Sequence, residues 1–292
     1  MDGRANRLVD LGGIRLNCRE WGHGPVKVLF VHGNLASADW FELAATRLPA
    51  RFRVVGVDWR GCGGSDKPEP SAGFANYAPE RHAADMLAVL DALRIEHCHL
   101  ATHSTGGLIA FHMLLAEPQR FGRVLALDPA CPSGIPFPPG SRAVFESLRA
   151  SRRNTHKALA LAACTLFRPE SLLGGADPAF AEHVTKPQQD LFARLVDQAL
   201  AVSDGIRLGT PFHLNAAWES GVLRARLPDI PHPHQVLWGA LDAFIPRTEL
   251  EEMTRRMPDC RLDIIPSAGH SLIIEQPDTY AARFTEFLSD QI

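Results

Sequence analysis

Short apolar segments alternate along the chain with longer segments in which apolar residues recur at helical spacing. The strongest apolar segment is Val26–Val31 (VKVLFV), bounded by Gly24-Pro25 before it and His32-Gly33 after it. Further short apolar runs lie at residues 53–57, 97–102, 124–127, 234–238 and 261–265. Amphipathic segments lie between or after them, at residues 37–48, 79–93, 105–116, 248–257 and 277–288. Runs of the first kind predict buried strands, and segments of the second kind predict helices.

This alternation predicts the fold class. Strands that alternate with helices indicate a mostly parallel, twisted sheet with helices on both faces, which is an α/β fold. The chain has 292 residues, of which 46% are apolar, so it is long enough to bury one large core of this kind.

Between residues 133 and 226 the alternation stops, because no convincing strand occurs there. A proline cluster marks the start of this stretch, at Pro132, Pro136, Pro138 and Pro139. Helical segments follow at residues 142–151, 157–166 and 188–203, and the strand–helix pattern resumes after Pro228. We therefore predict a core formed by residues 1–132 and 227–292, with a helical cap inserted at residues 133–226.

Composition excludes several classes of protein. The net charge of −3, with both signs mixed along the chain, gives no basic surface for nucleic acid. No apolar run reaches the roughly 18 residues of a membrane span, and the polar start lacks a secretory signal, so we expect a cytoplasmic protein with no membrane partner. The six cysteines form no CxxC pair, and the histidines show no zinc spacing, so we expect no metal and no cofactor. The sequence does not indicate the oligomeric state.

A candidate nucleophile lies where a predicted strand meets a predicted helix. Ser104 stands in Thr102-His103-Ser104-Thr105-Gly106, close to the G-x-S-x-G pattern of a nucleophile elbow, with Thr102 in place of the first glycine. Small neighbours are needed because the backbone turns sharply there, and Gly106 meets that need. The alternative is that Ser104 only caps the helix, a common role for serine.

Serine needs a neighbouring base, and His270 is the candidate. It follows the last predicted strand, in Ala268-Gly269-His270, while Asp242 follows the strand before it. Loops at the carboxyl ends of parallel strands converge on one edge of the sheet, so both side chains should meet Ser104 there. Asp242 would orient the imidazole and stabilise its charged form. Asp128, in Leu127-Asp128-Pro129 after an earlier strand, is the alternative for that role.

Acyl transfer also needs N–H donors aimed at the developing oxyanion. We assign one to the backbone of Thr105, directly after the nucleophile, and one to the backbone of Asn34 after His32-Gly33, with Leu35 as the weaker alternative. His32 is expected to be a structural hydrogen-bonding residue rather than a second base.

Together these motifs resemble the α/β-hydrolase superfamily, specifically its capped esterase and lactone- or C–C-hydrolase-like members. The resemblance covers residues 6–132 and 228 to the end, and it includes the segment 58–65 (DWRGCGGS), which the family implies to be a structural loop near the site. The order Ser104, Asp242, His270 is that of the fold. Dehalogenases and epoxide hydrolases of this fold are similar around Asn34 but use an aspartate nucleophile, so Ser104 argues against both.

The resemblance and the candidate residues imply hydrolysis of a carboxylic ester, lactone or thioester of a small molecule through an acyl-serine. C–C bond hydrolysis or acyl transfer by the same triad remains an alternative. A ligand-binding protein on a catalytically inactive hydrolase fold is an alternative of another class.

The substrate is the least defined part of the prediction. Candidate contact residues near the triad or in the cap are Leu35, His103, Phe137, Phe212, Trp218 and Phe244, and two further aromatic residues of the cap, Phe145 and Phe167, could also line the pocket. The cap aromatics could equally form the cap's own core. A basic face on one predicted cap helix weakly suggests an anionic substrate, although such faces are usually only solvated; it comprises Arg149, Arg152, Arg153 and Lys157.

Overall fold

The computed structural model describes residues 6–138, 140–173 and 177–289. Pro139 of the proline cluster and the ends of the predicted core, residues 1–5 and 290–292, lie outside the described residues. The strands of the described part are β1 (Arg7–Asp10), β2 (Arg15–Trp21), β3 (Val26–Val31), β4 (Phe52–Val57), β5 (Cys98–His103), β6 (Phe121–Leu127), β7 (His234–Gly239) and β8 (Cys260–Ile265).

All of these strands belong to one sheet, in the order β1-β2-β4-β3-β5-β6-β7-β8. The strands from β4 to β8 pair in parallel, and β1 and β2 pair antiparallel at one edge. The predicted α/β class with a mostly parallel sheet is therefore confirmed. The two antiparallel strands were not predicted, because the polar residues within RLVD and RLNCREW hide the short apolar runs that mark the central strands.

The helices that pack on the sheet in the core are α1 (Glu42–Ala45), α2 (Pro79–Ala92), α3 (Gly106–Ala116), α11 (Arg247–Arg256), α12 (Leu272–Glu275) and α13 (Pro277–Phe287). The predicted helix at residues 37–48 is shorter than expected. It consists of a 3₁₀ turn, Ala38–Phe41, followed by α1, and the Ser37 side chain accepts a hydrogen bond from the Asp39 N–H at 3.2 Å. The central strands are buried on both faces by these helices; every residue of β5 is buried.

The helical insertion lies between β6 and β7, and we call its helices the cap. They are α4 (Ser141–Ala150), α5 (Arg152–Ala162), α6 (Pro169–Leu172), α7 (Lys186–Leu200), α8 (Asp204–Arg207), α9 (Gly209–Ser220) and α10 (Val222–Ala225). Short 3₁₀ turns complete the described part, at Ala72–Tyr77, Pro118–Arg120, Cys164–Leu166 and Leu227–Asp229. None of the helices in the described ranges has the length and apolar character required to span a membrane.

Candidate active site

The candidate nucleophile lies in a strained turn between β5 and α3. Ser104 has a φ of +52°, a conformation that non-glycine residues rarely adopt and that places its side chain above the end of the sheet. The same turn requires glycine at residue 106, since a Cβ on Gly106 would lie 2.1 Å from the carbonyl oxygen of Val31. Thr102, which replaces the first glycine of the pattern, is fully buried. The elbow therefore tolerates a Cβ at residue 102 but not at residue 106.

The backbone of Ser104 is fixed on both sides. Its N–H donates to the carbonyl of Leu127 at 3.0 Å, and its carbonyl accepts from the N–H groups of Gly107 and Ala130, each at 2.9 Å. The residue at the N-cap position of α3 is Thr105, and no side-chain cap hydrogen bond is made there. Ser104 is thus not a helix cap, and its half-buried hydroxyl makes no hydrogen bond with the described residues.

The candidate base and acid are in direct contact. His270 Nδ1 lies 2.8 Å from Asp242 Oδ2, and the Asp242 side chain is buried. The second oxygen of Asp242 accepts the N–H groups of Phe244 at 2.6 Å and Ile245 at 3.3 Å. This fixed carboxylate holds Nδ1 as the donor and leaves Nε2 as the nitrogen that can accept a proton.

Close packing of two loops brings this pair together. A Cβ on Gly239, at the end of β7, would lie 2.1 Å from the carbonyl oxygen of Gly269, so the acid loop and the base loop touch through their backbones. The Leu241 N–H also donates to the Ala268 carbonyl at 2.9 Å. Asp242 and His270 meet because neither loop carries a side chain at the contact.

The predicted oxyanion loop lies beside the nucleophile. A Cβ on Gly33 would lie 2.9 Å from Ser104 Cβ. In the described part of the chain, the backbone N–H groups of Asn34, Leu35 and Thr105 donate to no acceptor. Leu35 has a φ of +56°, so the chain reverses directly after Asn34. Free amides on both sides of Ser104 can stabilise a developing negative charge.

His32 has a structural environment. Its Nδ1 donates to the Gly33 carbonyl at 2.8 Å, and its Nε2 accepts the N–H of Trp59 at 3.2 Å, with the two rings stacked. Burial lowers the pKa of His32 to about 4. Because both nitrogens are engaged, this ring has no free site for taking a proton from serine.

His103 supports the base instead of facing a substrate. Its Nε2–H donates to the backbone carbonyl of His270 at 2.9 Å, and the side chain is buried. Burial and the neighbouring His270 ring lower the pKa of His103 to about 3, so this ring stays neutral. The ring of His103 at the end of β5 is therefore buried against the backbone of the His270 loop.

Asp128, the alternative acid, lies in the same corner but does not hold the imidazole. It is fully buried after β6, and one of its oxygens accepts the N–H of Gly239 at 2.9 Å. Ligand atoms of Asp128, Asp242 and His270 all lie within 4.8 Å of one another. Within this group the direct contact to the imidazole, at 2.8 Å, is made by Asp242.

A third buried carboxyl group near the site, that of Glu275, was not predicted from the sequence. Its oxygens accept the N–H of Gly269 at 2.7 Å and the N–H of Thr165, between α5 and α6 of the cap, at 3.1 Å. Burial raises the pKa of Glu275 to about 7 despite these two donors. The residue ties the cap to the loop of the candidate base. A charged residue at the end of the apolar run Leu272–Ile274 was the available signal.

Near His270 the structure places an exposed aromatic ring. The Phe244 ring centroid lies 5.3 Å from that of His270, and Phe244 is 45% exposed. Leu35, which follows the oxyanion amide of Asn34, is largely buried. Of these two candidate contact residues, only Phe244 presents substantial open surface next to the base.

The cap contains an open cavity of about 370 Å³. Three predicted aromatic residues line it, together with Phe74 of the core: Phe137, Phe145 and Phe212. Helix α9 lies between this cavity and the elbow, since Pro211 and Asn215 face the cavity while Thr210 and Leu214 share a small void with Thr105.

The two other cap aromatics lie elsewhere. Trp218 packs under Arg224, whose guanidinium carbon lies 4.8 Å from the ring centroid, and that arginine pairs with Glu249 of the core. Phe167 packs on Phe180 and Phe192 inside the cap. Trp218 therefore lies at the joint between cap and core, and Phe167 lies in the interior of the cap.

The predicted basic face is also corrected. The helix breaks at Ser151, whose side chain accepts the Asn154 N–H at 3.3 Å and so begins α5. The basic residues are therefore divided between two helices. Arg149, Arg152 and Arg153 pair with carboxylates of the cap, which are Asp204, Asp197 and Asp177. These arginines neutralise the cap's own acids and give no support to an anionic substrate.

The comparisons with known proteins agree with this architecture. Residues 27–277 match the family model described as alpha/beta hydrolase fold, and the chain therefore belongs to the α/β hydrolase family. It is 27% identical to 2-(acetamidomethylene)succinate hydrolase of Mesorhizobium japonicum, with 97% of this chain and 95% of that protein aligned. It is also 27% identical to 2-hydroxymuconate semialdehyde hydrolase of Pseudomonas sp. strain CF600, over 97% and 94% of the two chains.

The fold has close structural counterparts as well. The enol-lactonase of Burkholderia xenovorans LB400 superposes with a TM-score of 0.78, over 97% of this chain and all of that one, at 19% identity. At that identity the likeness concerns the fold. The family assignment makes this chain a hydrolase of α/β type, and the bond it cleaves has to be argued from the site.

Proposed function

We propose that this protein is a serine hydrolase that cleaves a carboxylic ester, lactone or thioester of a small molecule through an acyl-serine intermediate. The observation that carries the proposal is the 2.8 Å contact of His270 with Asp242 at the sheet edge where Ser104 occupies its strained turn. Free amides on both sides of Ser104 support the same chemistry.

In the first half-reaction, Ser104 Oγ attacks the carbonyl carbon while His270 Nε2 takes the hydroxyl proton. Asp242 accepts the Nδ1–H throughout, which fixes the tautomer and stabilises the imidazolium. The N–H groups of Asn34 and Thr105 donate to the oxyanion. The bond to the leaving group then breaks, and His270 gives its proton to that group.

In the second half-reaction, His270 takes a proton from water, and the resulting hydroxide attacks the acyl carbon. The tetrahedral intermediate collapses, the bond to Ser104 breaks, and His270 returns the proton to Oγ. The free acid leaves, and every group returns to its starting state. The route uses only side chains and amides of this chain together with water.

The test is labelling by a fluorophosphonate probe, together with turnover of a p-nitrophenyl ester. We expect the wild type to be labelled and Ser104→Ala to be unlabelled, with turnover reduced by roughly 10⁴-fold or more. Ser151→Ala is the matched control, because that serine does cap a helix and lies outside the site. Equal labelling of wild type and Ser104→Ala would contradict the proposal.

The relative that acts on a semialdehyde favours a second candidate, cleavage of a C–C bond by the same triad. Acyl transfer to an acceptor other than water is the third variant of this chemistry. Product analysis with a panel of esters, lactones, thioesters and diones separates these reactions. C–C cleavage releases a leaving group that is protonated on carbon, and acyl transfer consumes the added acceptor. Failure of all active-serine probes, with a ligand still bound tightly, would favour the non-catalytic alternative.

A further inference from the structure

The candidate acid Asp242 has a second carboxyl group beside it. Asp128 is fully buried, has a φ of +41°, and is fixed by the hydrogen bond from its N–H to the Leu237 carbonyl at 2.8 Å. Its Oδ1 accepts the Gly239 N–H at 2.9 Å. Its Oδ2 is buried and receives no N–H or O–H donor from the described residues. Such an atom would be costly to bury if it carried charge.

Side-chain atoms of Asp128 and Asp242 lie within 4.8 Å of each other, and Asp242 is among the groups that raise the pKa of Asp128. The charge of Asp242 acts on Asp128, that of Glu275 acts more weakly, and the His270 ring lies within 4.8 Å of both aspartates. Two ionised carboxylates in a dry site repel each other strongly, so one of the pair must hold a proton.

The hydrogen bonds decide which group holds it. Asp242 accepts three N–H donors, from His270, Phe244 and Ile245, so both of its oxygens already serve as acceptors. Asp128 accepts one N–H donor, and its second oxygen accepts none from the described residues. Burial, followed by the charge of Asp242, raises the pKa of Asp128 well above its ordinary value.

We infer that Asp128 is a positioning residue held as a neutral carboxylic acid, whose O–H donates to Asp242 and thereby orients the acid of the triad. This inference rests on the proposed function for its catalytic meaning. It assigns the two aspartates different tasks, since Asp242 holds the imidazole and Asp128 holds Asp242. The neutral acid adds a fourth donor to Asp242 without adding a second negative charge beside His270.

The orientation of Asp128 makes asparagine its close mimic. In Asp128→Asn, the amide oxygen can keep the bond from the Gly239 N–H, and the amide nitrogen can donate to Asp242 in place of the O–H. Asp128→Ala removes both bonds. We expect kcat within about threefold of wild type for Asp128→Asn, and a loss of about 10- to 100-fold in kcat with little change in KM for Asp128→Ala.

A second readout needs no turnover. The infrared spectrum of the wild type should contain the carbonyl band of a buried neutral carboxylic acid, and the difference spectrum should show its loss in Asp128→Asn. Asp263→Asn is the matched control, because this half-buried aspartate on β8 accepts a hydrogen bond from Gln235 and should contribute no such band. The infrared result remains informative if the ester chemistry is wrong, and Ser104→Ala labelling tests that chemistry separately.

Retained activity of Asp128→Asn together with loss of the neutral-acid band would support the inference. It would be overturned if the band did not change, or if Asp128→Asn were as inactive as Asp128→Ala. An unchanged band would mean that Asp128 is ionised. An inactive Asp128→Asn would mean that a neutral amide donor cannot replace the aspartate. Asp128→Asn keeps the shape of the side chain, so the test holds even if the alanine variant does not fold.

Discussion

The edge of the sheet and the cap satisfy their charged groups in opposite ways. At the edge, the carboxylates of Asp242 and Glu275 are buried and held by backbone N–H groups. In the cap, acids such as Asp197 and Asp177 lie on the surface and pair with exposed arginine side chains. Backbone donors fix a carboxylate in position, whereas exposed ion pairs contribute little and are screened by salt. The carboxylates at the edge are therefore held in fixed positions, whereas those of the cap are held only by exposed ion pairs.

The largest effect should follow from changing the acid at the edge. Asp242→Asn keeps the shape of the side chain but removes the charge that fixes the His270 tautomer, so we expect kcat to fall by roughly 10⁴-fold. The measurement is ester turnover with active-site titration, and Asp263→Asn serves as the control away from the site. If Asp242→Asn retained activity while Asp128→Asn lost it, the roles of the two aspartates would be exchanged.

The same contrast explains what the sequence could predict. The core strands, Ser104, Asp242 and His270 were placed correctly relative to the strands because strand ends are local features, and parallel topology gathers them at one edge. The 2.8 Å contact between His270 and Asp242 follows from that topology together with the close packing of their loops at Gly239 and Gly269. The antiparallel strands β1 and β2 were missed, since their pairing depends on tertiary packing.

Tertiary burial also explains the functional residues that were missed or misassigned. Glu275 and His103 act through backbone groups distant in sequence, and no local pattern reveals such partners. For Trp218 and Phe167, composition indicated apolar surface without indicating which neighbour covers it. The candidate catalytic side chains stand in recognisable sequence motifs, whereas the side chains that support them through backbone contacts do not.

A pair of glycine substitutions should sharpen the comparison through stability. In Gly106→Ala the added Cβ would lie 2.1 Å from the Val31 carbonyl oxygen, so the elbow must move, and we expect a loss of about 3–4 kcal/mol. Gly221→Ala in the cap meets no atom within 4 Å and costs only the left-handed conformation, about 1 kcal/mol. Urea unfolding measures both. Equal losses would mean that the elbow is no more tightly packed than the cap.

Glu275 connects the two regions and should make stability depend on pH. Its pKa is raised from 4.5 to about 7 in the folded protein, so between those values the folded state binds a proton that the unfolded chain has released. Stability from this group is therefore fully present below about pH 4.5 and falls as pH rises to about 7. Between pH 5 and 8, wild type should lose about 2–3 kcal/mol more than Glu275→Gln.

Urea unfolding at several pH values measures this difference. Glu286→Gln, an exposed change on α13, is the control and should follow the wild-type pH dependence. A wild type and a Glu275→Gln variant with parallel pH dependence would show that Glu275 is already ionised at low pH. The hydrogen bonds of Glu275 that join the cap to the loop of the candidate base would then be accepted by a carboxylate that is charged over the whole pH range tested.

The smallest effect should come from the cap cavity. Phe212 lines the cavity on the side of α9 away from the elbow and is 50% exposed, so Phe212→Ala should remove apolar contact area only from a substrate long enough to reach past α9, and it leaves the reacting groups untouched. We expect KM for an aromatic ester to rise by up to about 10-fold, with kcat unchanged.

Trp218→Ala is the matched control, because it removes a larger ring that packs on Arg224 outside the cavity. Steady-state kinetics of both variants decide the matter, since a KM effect confined to Trp218→Ala would place substrate binding at the joint between cap and core. The two aromatic residues lie on the same helix, α9, so a difference between them cannot come from a general loosening of the cap and must reflect which side of the helix the substrate touches.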